Sequence, residues 1–235
     1  MQIEPIAHIH TDFPTKFGVP RQSGLASELT STIVFAPAYR NPDCLRGIAD
    51  FSHLWLIWEF DKVAGAGWSP TVLPPKLGGK TRVGVFATRS PFRPNPLGMS
   101  CVVLTGVRQD TRLGPVLCLS GADLMDGTPV FDIKPYLPYS DCFPDARAGF
   151  TALAPDLLLD VDFPPELLAH IPEAHRSALL GVLSHDPRPS YQDDPARRYG
   201  MGFAGFDIHF TVSEGRLTVV DVVPMEPSEK GSASQ

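Results

Sequence analysis

Apolar positions in this chain come mostly in short runs, and turn residues bound nearly every run. In the N-terminal part these runs cover residues 3–9, 32–36, 53–60, 83–87, 100–107, 116–119 and 130–133. Their lengths and spacing predict the strands of a barrel or a sandwich. Between them, Asn41 is placed to cap a short helix that has Pro42 at its first position. We therefore predict an N-terminal β-barrel domain over residues 1–147.

The pattern changes in the C-terminal part, where a helical periodicity appears. A strand is predicted over residues 156–162, and residues 166–184 have a helical pattern that Pro172 divides in two. Residues 206–212 and 217–223 alternate apolar and polar positions around a turn, which predicts a hairpin. We expect a smaller α+β domain over residues 148–227 and a flexible polar tail over residues 228–235. The fold class is therefore mainly β.

Composition places the chain among soluble globular proteins. It has 235 residues, of which 43% are hydrophobic, and a formal net charge of −6. We expect no membrane span and no signal peptide, because no long apolar run and no basic leader are found. The four cysteines are Cys44, Cys101, Cys118 and Cys142. Their wide spacing predicts reduced core thiols in a cytoplasmic protein, with no metal site and no disulfide framework.

Charge is distributed unevenly along this acidic chain. Residues 63–109 contain no Asp or Glu. The cations of the same segment are Lys76, Lys80, Arg82, Arg89, Arg93 and Arg108. Such a local basic field attracts phosphates, even on a protein whose overall charge is negative. The overall charge argues against nonspecific coating of nucleic acid and is compatible with docking of one particular nucleic acid at one face.

A proline-rich loop inside this basic segment carries Arg89 and Arg93. Prolines at positions 91, 94 and 96 fix the backbone locally, so the loop is predicted to be stiff and not helical. A stiffly held guanidinium suits bidentate recognition of a carboxylate or a phosphate. The alternative is an ordinary proline-rich turn with solvated arginines.

Titratable side chains are densest between residues 123 and 139. The cluster consists of Asp123, Asp126, Asp132, Lys134, Tyr136 and Tyr139. Asp132 and Lys134 share a strand face by the period of two. They form either a surface ion pair of little energetic value or a pair that flanks a reacting group. Asp123 and Asp126 either cap turns or act chemically, and the sequence leaves both alternatives open.

Three further motifs bear on the function. Residues 200–205 match Gly-x-Gly-x-x-Gly, but a polar segment precedes them and a strand follows, so we predict a glycine-rich loop without dinucleotide chemistry. His8 and His10 share a strand face but lack a third ligand, so no metal site is expected. The segment from Asp186 to Tyr191 places Arg188 between two prolines, with Tyr191 able to stack on a base. The alternative, which composition alone slightly favours, is an ordinary loop that ends the preceding helix.

Taken together, these motifs closely resemble the TrmO/TsaA (YaeB) family of tRNA methyltransferases. The resemblance rests on residues 18–25, 51–56, 84–100, 126–129, 132–136 and 186–191, which occur in both predicted domains. It implies a homodimeric, S-adenosylmethionine-dependent enzyme built on a β-barrel. The implied reaction is methylation of the exocyclic N6 of threonylcarbamoyl-adenosine beside the tRNA anticodon, so the implied partner is the anticodon loop.

The resemblance also implies site residues. Those expected around S-adenosylmethionine are Gln22, Ser23, Gly24, Phe60, Asp61, Arg89, Ser120, Gly121, Ala122 and Asp123. As a hypothesis for catalysis, Asp126 or Asp132 removes the proton from the acceptor nitrogen, and Lys134 or Tyr136 orients the threonyl carboxylate. The side chains expected to contact tRNA are Lys76, Lys80, Arg93, Arg188 and Tyr191.

Two other functions remain open from the sequence. The first is a noncatalytic RNA-binding barrel whose loops only grip phosphate. The second is a methyltransferase that acts on a small molecule. The acid-free basic segment and the second domain argue against a methyltransferase that acts on a small molecule.

Overall fold

The computed structural model describes residues 2–153, 158–188 and 194–225. Its strands are β1 (Ala7–His10), β2 (Thr30–Phe35), β3 (His53–Glu59), β4 (Thr71–Val72), β5 (Val83–Gly84), β6 (Leu97–Asp110), β7 (Gly114–Ser120), β8 (Pro129–Pro135), β9 (Asp160–Asp162), β10 (Tyr199–Phe203), β11 (Phe206–Ser213) and β12 (Arg216–Pro224). Its α-helices are α1 (Pro138–Asp141), α2 (Pro165–Leu168) and α3 (Glu173–Ser184). Short 3-10 helices cover Pro37–Tyr39, Pro42–Leu45, Ile48–Asp50, Asp61–Val63, Pro75–Leu77, Val85–Ala87 and Gly149–Leu153. The prediction of a mainly β protein is confirmed.

Six strands form one sheet in the order β1-β2-β7-β6-β3-β8. All of its neighbouring strands are antiparallel, and β8 pairs with both β3 and β1, so the pairing closes on itself. Alternation along β3 turns Leu54, Leu56 and Trp58 into the sheet's interior. They pack there with apolar side chains from the other five strands.

A second sheet has the order β10-β11-β12-β9, and α3 supplies apolar side chains to the same core. Leu179 and Leu183 of α3 are fully buried in this core. Phe13, Ala26 and Leu29 also pack into it, although they precede β2 in the chain. The segment over residues 13–29 therefore links the two cores.

The predicted strands are largely present, with shifted ends. The hairpin is formed by β11 and β12, and Pro172 does separate α2 from α3. Asn41 accepts a hydrogen bond from the Asp43 N–H at 3.0 Å, as a cap should, although the turn that follows is a 3-10 helix. Of the strand predicted over residues 156–162, positions 156 and 157 lie outside the described residues. The tail predicted over residues 228–235 lies outside them as well.

Two predictions about local structure are wrong. The strand predicted over residues 83–87 ends at Gly84, because the hydroxyl and N–H of Thr88 both donate to the Val85 carbonyl and close a turn. The glycine-rich loop predicted over residues 200–205 is largely strand β10. A Cβ at Gly202 would lie 3.0 Å from Pro14, so glycine permits close packing there.

The cysteines are not core residues. Cys44 and Cys142 are exposed, and Cys101 and Cys118 are partly buried, each as a free thiol. Among the described residues, no group of three or more His, Cys, Asp or Glu side chains could hold a metal ion. In the same parts of the chain, every helix is too short or too polar to cross a bilayer.

Candidate functional site

Two loops that are far apart in sequence meet at the end of β7. The Gly24 N–H donates to the Gly121 carbonyl at 2.8 Å, and the Gly121 N–H donates to the Leu29 carbonyl at 2.9 Å. Gly121 has φ +74°, and a Cβ there would lie 3.4 Å from the backbone of Gly24. The positive φ of Gly121 favours glycine at this position, whereas an added Cβ would only make ordinary van der Waals contact with the Gly24 backbone. The close approach of the two loops brings together the predicted cofactor residues 22–24 and 120–123.

Arg89 reaches the same place from the proline-rich loop. Its guanidinium donates to the side-chain oxygen of Gln22, and its charge acts on Asp123. The loop is held by local hydrogen bonds, including the Arg93 N–H to the Pro91 carbonyl at 2.9 Å. The Leu97 N–H donates to the Asn95 carbonyl at 2.7 Å. The structure thus presents Arg89 on a braced loop, as the proline pattern predicts.

Asp123 is the carboxyl group at the centre of this cluster. Burial raises its pKa above the usual range for an aspartate. Hydrogen bonds from Ser100 and from the Ser23 N–H act in the opposite direction, as does the charge of Arg89. The charge state of Asp123 therefore depends on a small set of neighbouring donors.

Two residues that belong to no sequence motif, Trp58 and Ser100, form a hydrogen-bonded chain that ends on Asp123. The Trp58 indole N–H donates to the Ser100 hydroxyl at 2.9 Å, and that hydroxyl donates to the Asp123 carboxylate at 2.5 Å. Alternation along β3 predicts an inward Trp58, but the contact with Ser100 depends on the register between β3 and β6. Trp58 lies opposite Gly98 in that register.

Phe60 and Asp61 follow β3 at the same end of the sheet. The Phe60 ring lies 4.3 Å from the Trp58 ring, centroid to centroid, and its N–H donates to the Pro96 carbonyl at 2.8 Å. Phe60 is therefore connected to the Asp123 cluster through Trp58. The Asp61 carboxylate instead forms an ion pair with Lys62 at 2.7 Å.

The two candidates for the general base have partners of their own. Asp126 lies 3.1 Å from Nδ1 of His10, on the outer face of β1. Asp132 pairs with Lys134 at 2.8 Å, with their side chains 47% and 66% exposed. The geometry of this second pair is that of a surface ion pair, the first of the two alternatives left open by the sequence.

Tyr136 lies just after β8, beside two aromatic rings of β3. Its ring centroid is 5.9 Å from that of His53 and 6.1 Å from that of Trp55. Partial burial raises the pKa of the Tyr136 phenol, and the neighbouring Cys142 thiol adds to this effect. The phenol therefore stays protonated at neutral pH and available as a hydrogen-bond donor.

Cations and exposed aromatic rings share one stretch of the chain, residues 68–93, which we call the basic arm. Trp68, Phe86 and Phe92 are 56%, 76% and 44% exposed, which is high for aromatic side chains. Lys80 is also exposed. The predicted RNA contacts Lys76, Lys80 and Arg93 all lie in this arm. Exposed rings interleaved with cations are typical of surfaces that bind single-stranded nucleic acid.

Arg188 is placed differently from the other predicted RNA contacts. Its guanidinium makes two hydrogen bonds to the Asp186 carboxylate, at 2.9 and 3.0 Å, and its side chain is only 11% exposed. Arg21 donates to the backbone carbonyls of both residues, at 3.3 and 3.1 Å. This segment therefore braces the loop that carries Gln22. Tyr191, the remaining predicted contact, lies outside the described residues.

Comparison with known proteins assigns the family. The model for the tRNA-methyltransferase O N-terminal domain matches residues 8–142, and the model for the TrmO C-terminal domain matches residues 156–225. A tRNA (adenine(37)-N6)-methyltransferase of Escherichia coli is 39% identical over 95% of this chain and 98% of that protein. One of Eikenella corrodens is 47% identical over 75% of this chain and 99% of that protein.

A solved structure is similar over nearly the whole chain. The crystal structure of TrmO from P. aeruginosa is 34% identical to this chain, with a TM-score of 0.77. The similarity covers 95% of this chain and 97% of that one.

Proposed function

The chain belongs to the TrmO family of tRNA methyltransferases, and we propose that it transfers a methyl group from S-adenosylmethionine to the N6 of threonylcarbamoyl-adenosine beside the tRNA anticodon. The convergence of residues 22–24, Arg89 and residues 120–123 carries this proposal. It brings together most of the residues that the family resemblance assigns to the cofactor, with Phe60 and Asp61 outside the convergence itself.

The residues at this convergence suit S-adenosylmethionine. The cofactor carries a carboxylate, an ammonium group and a sulfonium, and it supplies a methyl group activated for displacement. Arg89 suits the carboxylate, and Asp123 is a carboxyl group placed among hydrogen-bond donors that favour its charged form. The Phe60 ring offers a face that attracts a cation.

The protein's own contribution to methyl transfer is alignment and exclusion of water. The acceptor nitrogen belongs to a urea and must lose a proton, so a general base is required within hydrogen-bond reach. Asp126 and Asp132 remain our candidates, with Lys134 or Tyr136 orienting the threonyl carboxylate. Single-turnover transfer by Asp126→Asn and Asp132→Asn separates these candidates. The variant that lacks the base is expected to be slower, and normal rates in both variants would remove both carboxylates from this role.

We propose that the basic arm docks the anticodon stem and loop. Neutralising Lys76, Lys80 and Arg93 together, each to Gln, is expected to weaken tRNA binding about tenfold at moderate salt, because three phosphate contacts are lost. The slope of log affinity against log salt should become shallower by about two to three. Filter binding across a salt series measures both quantities.

Arg46→Gln is the control for this triple variant. Arg46 is 80% exposed and lies outside the basic arm. Its variant should keep the wild-type affinity and salt slope. An unchanged salt slope in the triple variant would place the docking surface elsewhere on the protein.

The remaining parts of the proposal concern organisation. We propose that residues 1–147 form a β-barrel domain that holds the cofactor and that residues 148–227 form a domain that contacts the tRNA. We also propose a homodimer that acts in the cytoplasm, where its tRNA substrate is found. Sedimentation equilibrium of the full chain tests the dimer directly.

Calorimetric titration of S-adenosylmethionine into the full chain tests the cofactor assignment. Saturable binding is expected in the wild-type protein and weaker binding in Arg89→Ala. A noncatalytic RNA-binding module would bind tRNA but give no heat with S-adenosylmethionine. A small-molecule methyltransferase would bind the cofactor but leave tRNA unmodified.

A further inference from the structure

A chain of hydrogen bonds runs from the interior of the six-stranded sheet to Asp123, beside Gln22 and Arg89. It begins at the indole N–H of Trp58, passes through the hydroxyl of Ser100 and ends on the carboxylate of Asp123. The donor–acceptor distances are 2.9 and 2.5 Å. Trp58 is 7% exposed and Ser100 is 1% exposed, so water has little access to the first two members.

The chemistry of the three groups fixes the direction of this chain of hydrogen bonds. An indole N–H can only donate, so the Ser100 oxygen must accept from it. The serine proton is then free to point at Asp123, and an ionised carboxylate can only accept. The hydroxyl is therefore poised as a donor to Asp123 without having to reorganise.

The first member of the chain of hydrogen bonds is held rigidly. The Trp58 ring packs against Gly98, where an added Cβ would lie 2.3 Å from the indole. The centroid of the Phe60 ring lies 4.3 Å from that of the Trp58 ring. A large aromatic ring held in this way has little freedom to turn. The orientation of the Ser100 hydroxyl is consequently set by the packing of the sheet interior.

We propose that Ser100 is a positioning residue whose hydroxyl, oriented by Trp58, holds the Asp123 carboxylate charged and correctly turned toward the cationic end of the cofactor. This inference rests on the proposed function, because it assigns Asp123 to S-adenosylmethionine. Ser100 itself acts through Asp123 and has no direct contact with the cofactor in this proposal.

The physical reason is that burial disfavours the charged form of Asp123. A charge-assisted hydrogen bond from a hydroxyl favours that form and is stronger than a neutral one. Arg89 and the Ser23 N–H act in the same direction. Loss of the serine hydroxyl removes one of these contributions and leaves the others in place.

Ser100→Ala tests the proposal in two ways. In the ligand-free protein, an NMR titration of the Asp123 carboxyl carbon should show a pKa higher than in the wild type. In calorimetry, S-adenosylmethionine should bind about tenfold more weakly at neutral pH. The pH at which affinity is half-maximal should move upward. A merely structural role would leave that pH unchanged.

Ser31→Ala is the matched control. Ser31 is also a buried serine of the six-stranded sheet, at 7% exposure, and its hydroxyl has no hydrogen-bond partner among the described residues. Its variant should bind the cofactor as the wild type does. Trp58→Phe keeps a ring but removes the N–H, and it should shift the Asp123 pKa in the same direction as Ser100→Ala.

A double-mutant cycle with Asp123→Asn separates the possible outcomes. In the Asp123→Asn background, Ser100→Ala should have little further effect on cofactor affinity. An unaltered Asp123 pKa and cofactor affinity in Ser100→Ala would overturn the positioning role while the proposed function stands. If the wild type itself fails to bind S-adenosylmethionine, the proposed function fails, and the assignment of Asp123 to the cofactor fails with it. The NMR titration would then still report whether Ser100 controls Asp123.

Discussion

Replacing Gly98 with alanine is expected to destabilise the folded protein by about 3 kcal/mol, the upper end of the usual cost of overpacking a core. An added Cβ would lie 2.3 to 2.7 Å from three atoms of the Trp58 ring. The ring cannot move aside easily, because it is buried, hydrogen-bonded to Ser100 and packed against Phe60. Either the strand or the indole must shift, and both shifts break contacts.

Chemical denaturation of Gly98→Ala measures this cost, and Gly106→Ala is its control. Gly106 lies in the same strand, β6, but a Cβ there would meet no atom within 4 Å. Its variant should stay within about 1 kcal/mol of the wild type, since alanine lacks the entropic cost of glycine in a strand. Equal stabilities for the two variants would show that Trp58 is not fixed as described.

Asp123→Asn is expected to weaken S-adenosylmethionine binding about 30- to 100-fold while leaving the protein at least as stable at neutral pH. Asparagine keeps the shape and can accept the Ser100 hydrogen bond, but it carries no charge to meet the cofactor. It also removes a buried charge, which is costly to the folded state. Calorimetry measures the first effect, and denaturation at pH 7 measures the second.

The pH dependence of stability follows from the raised pKa of Asp123. Between the ordinary aspartate pKa and this raised value, the folded state holds a proton that the unfolded state has lost. Wild-type stability from this group is therefore greatest at acid pH and falls as pH rises through that window. Above the raised pKa, the contribution of Asp123 to the free energy of unfolding no longer changes with pH. Asp123→Asn lacks this contribution, so wild type should lose stability relative to the variant as pH rises through the window.

Asp145→Asn is the control, since Asp145 is exposed and distant in sequence from the cofactor residues. Its substitution should leave cofactor affinity unchanged. Should Asp123→Asn bind S-adenosylmethionine as tightly as wild type, Asp123 would have no part in the cofactor site.

The sequence predicts those parts of the site that local chemistry dictates. The prolines around Arg93 predict a braced loop, and the structure places Arg89 on such a loop. Alternation predicts the inward face of β3. The link from Trp58 through Ser100 to Asp123 depends instead on strand register and on a loop closing over the sheet. The local sequence pattern predicts neither the strand register nor the loop closure. Ser100 therefore cannot be distinguished from other polar residues by sequence alone.

Arg188 is a residue whose local pattern predicts its stiffness but not its orientation. Between two prolines it has the local pattern of a presented cation, yet its guanidinium is turned toward Asp186. The sequence shows that the arginine is held stiffly but does not show which way it points. Likewise, Gly200 and Gly202 resemble loop glycines until the residues packed against β10 are known.

The central claim is that the cluster of Gln22, Arg89 and Asp123 holds S-adenosylmethionine for methylation of a modified purine. Its most direct test is a single-turnover reaction with S-adenosylmethionine labelled in its methyl group and tRNA that carries threonylcarbamoyl-adenosine. The digested nucleosides are then analysed by mass spectrometry. We predict label in that one nucleoside with wild-type protein and strongly reduced label with Arg89→Ala. Absence of label with wild type, or equal labelling by the variant, would contradict the account.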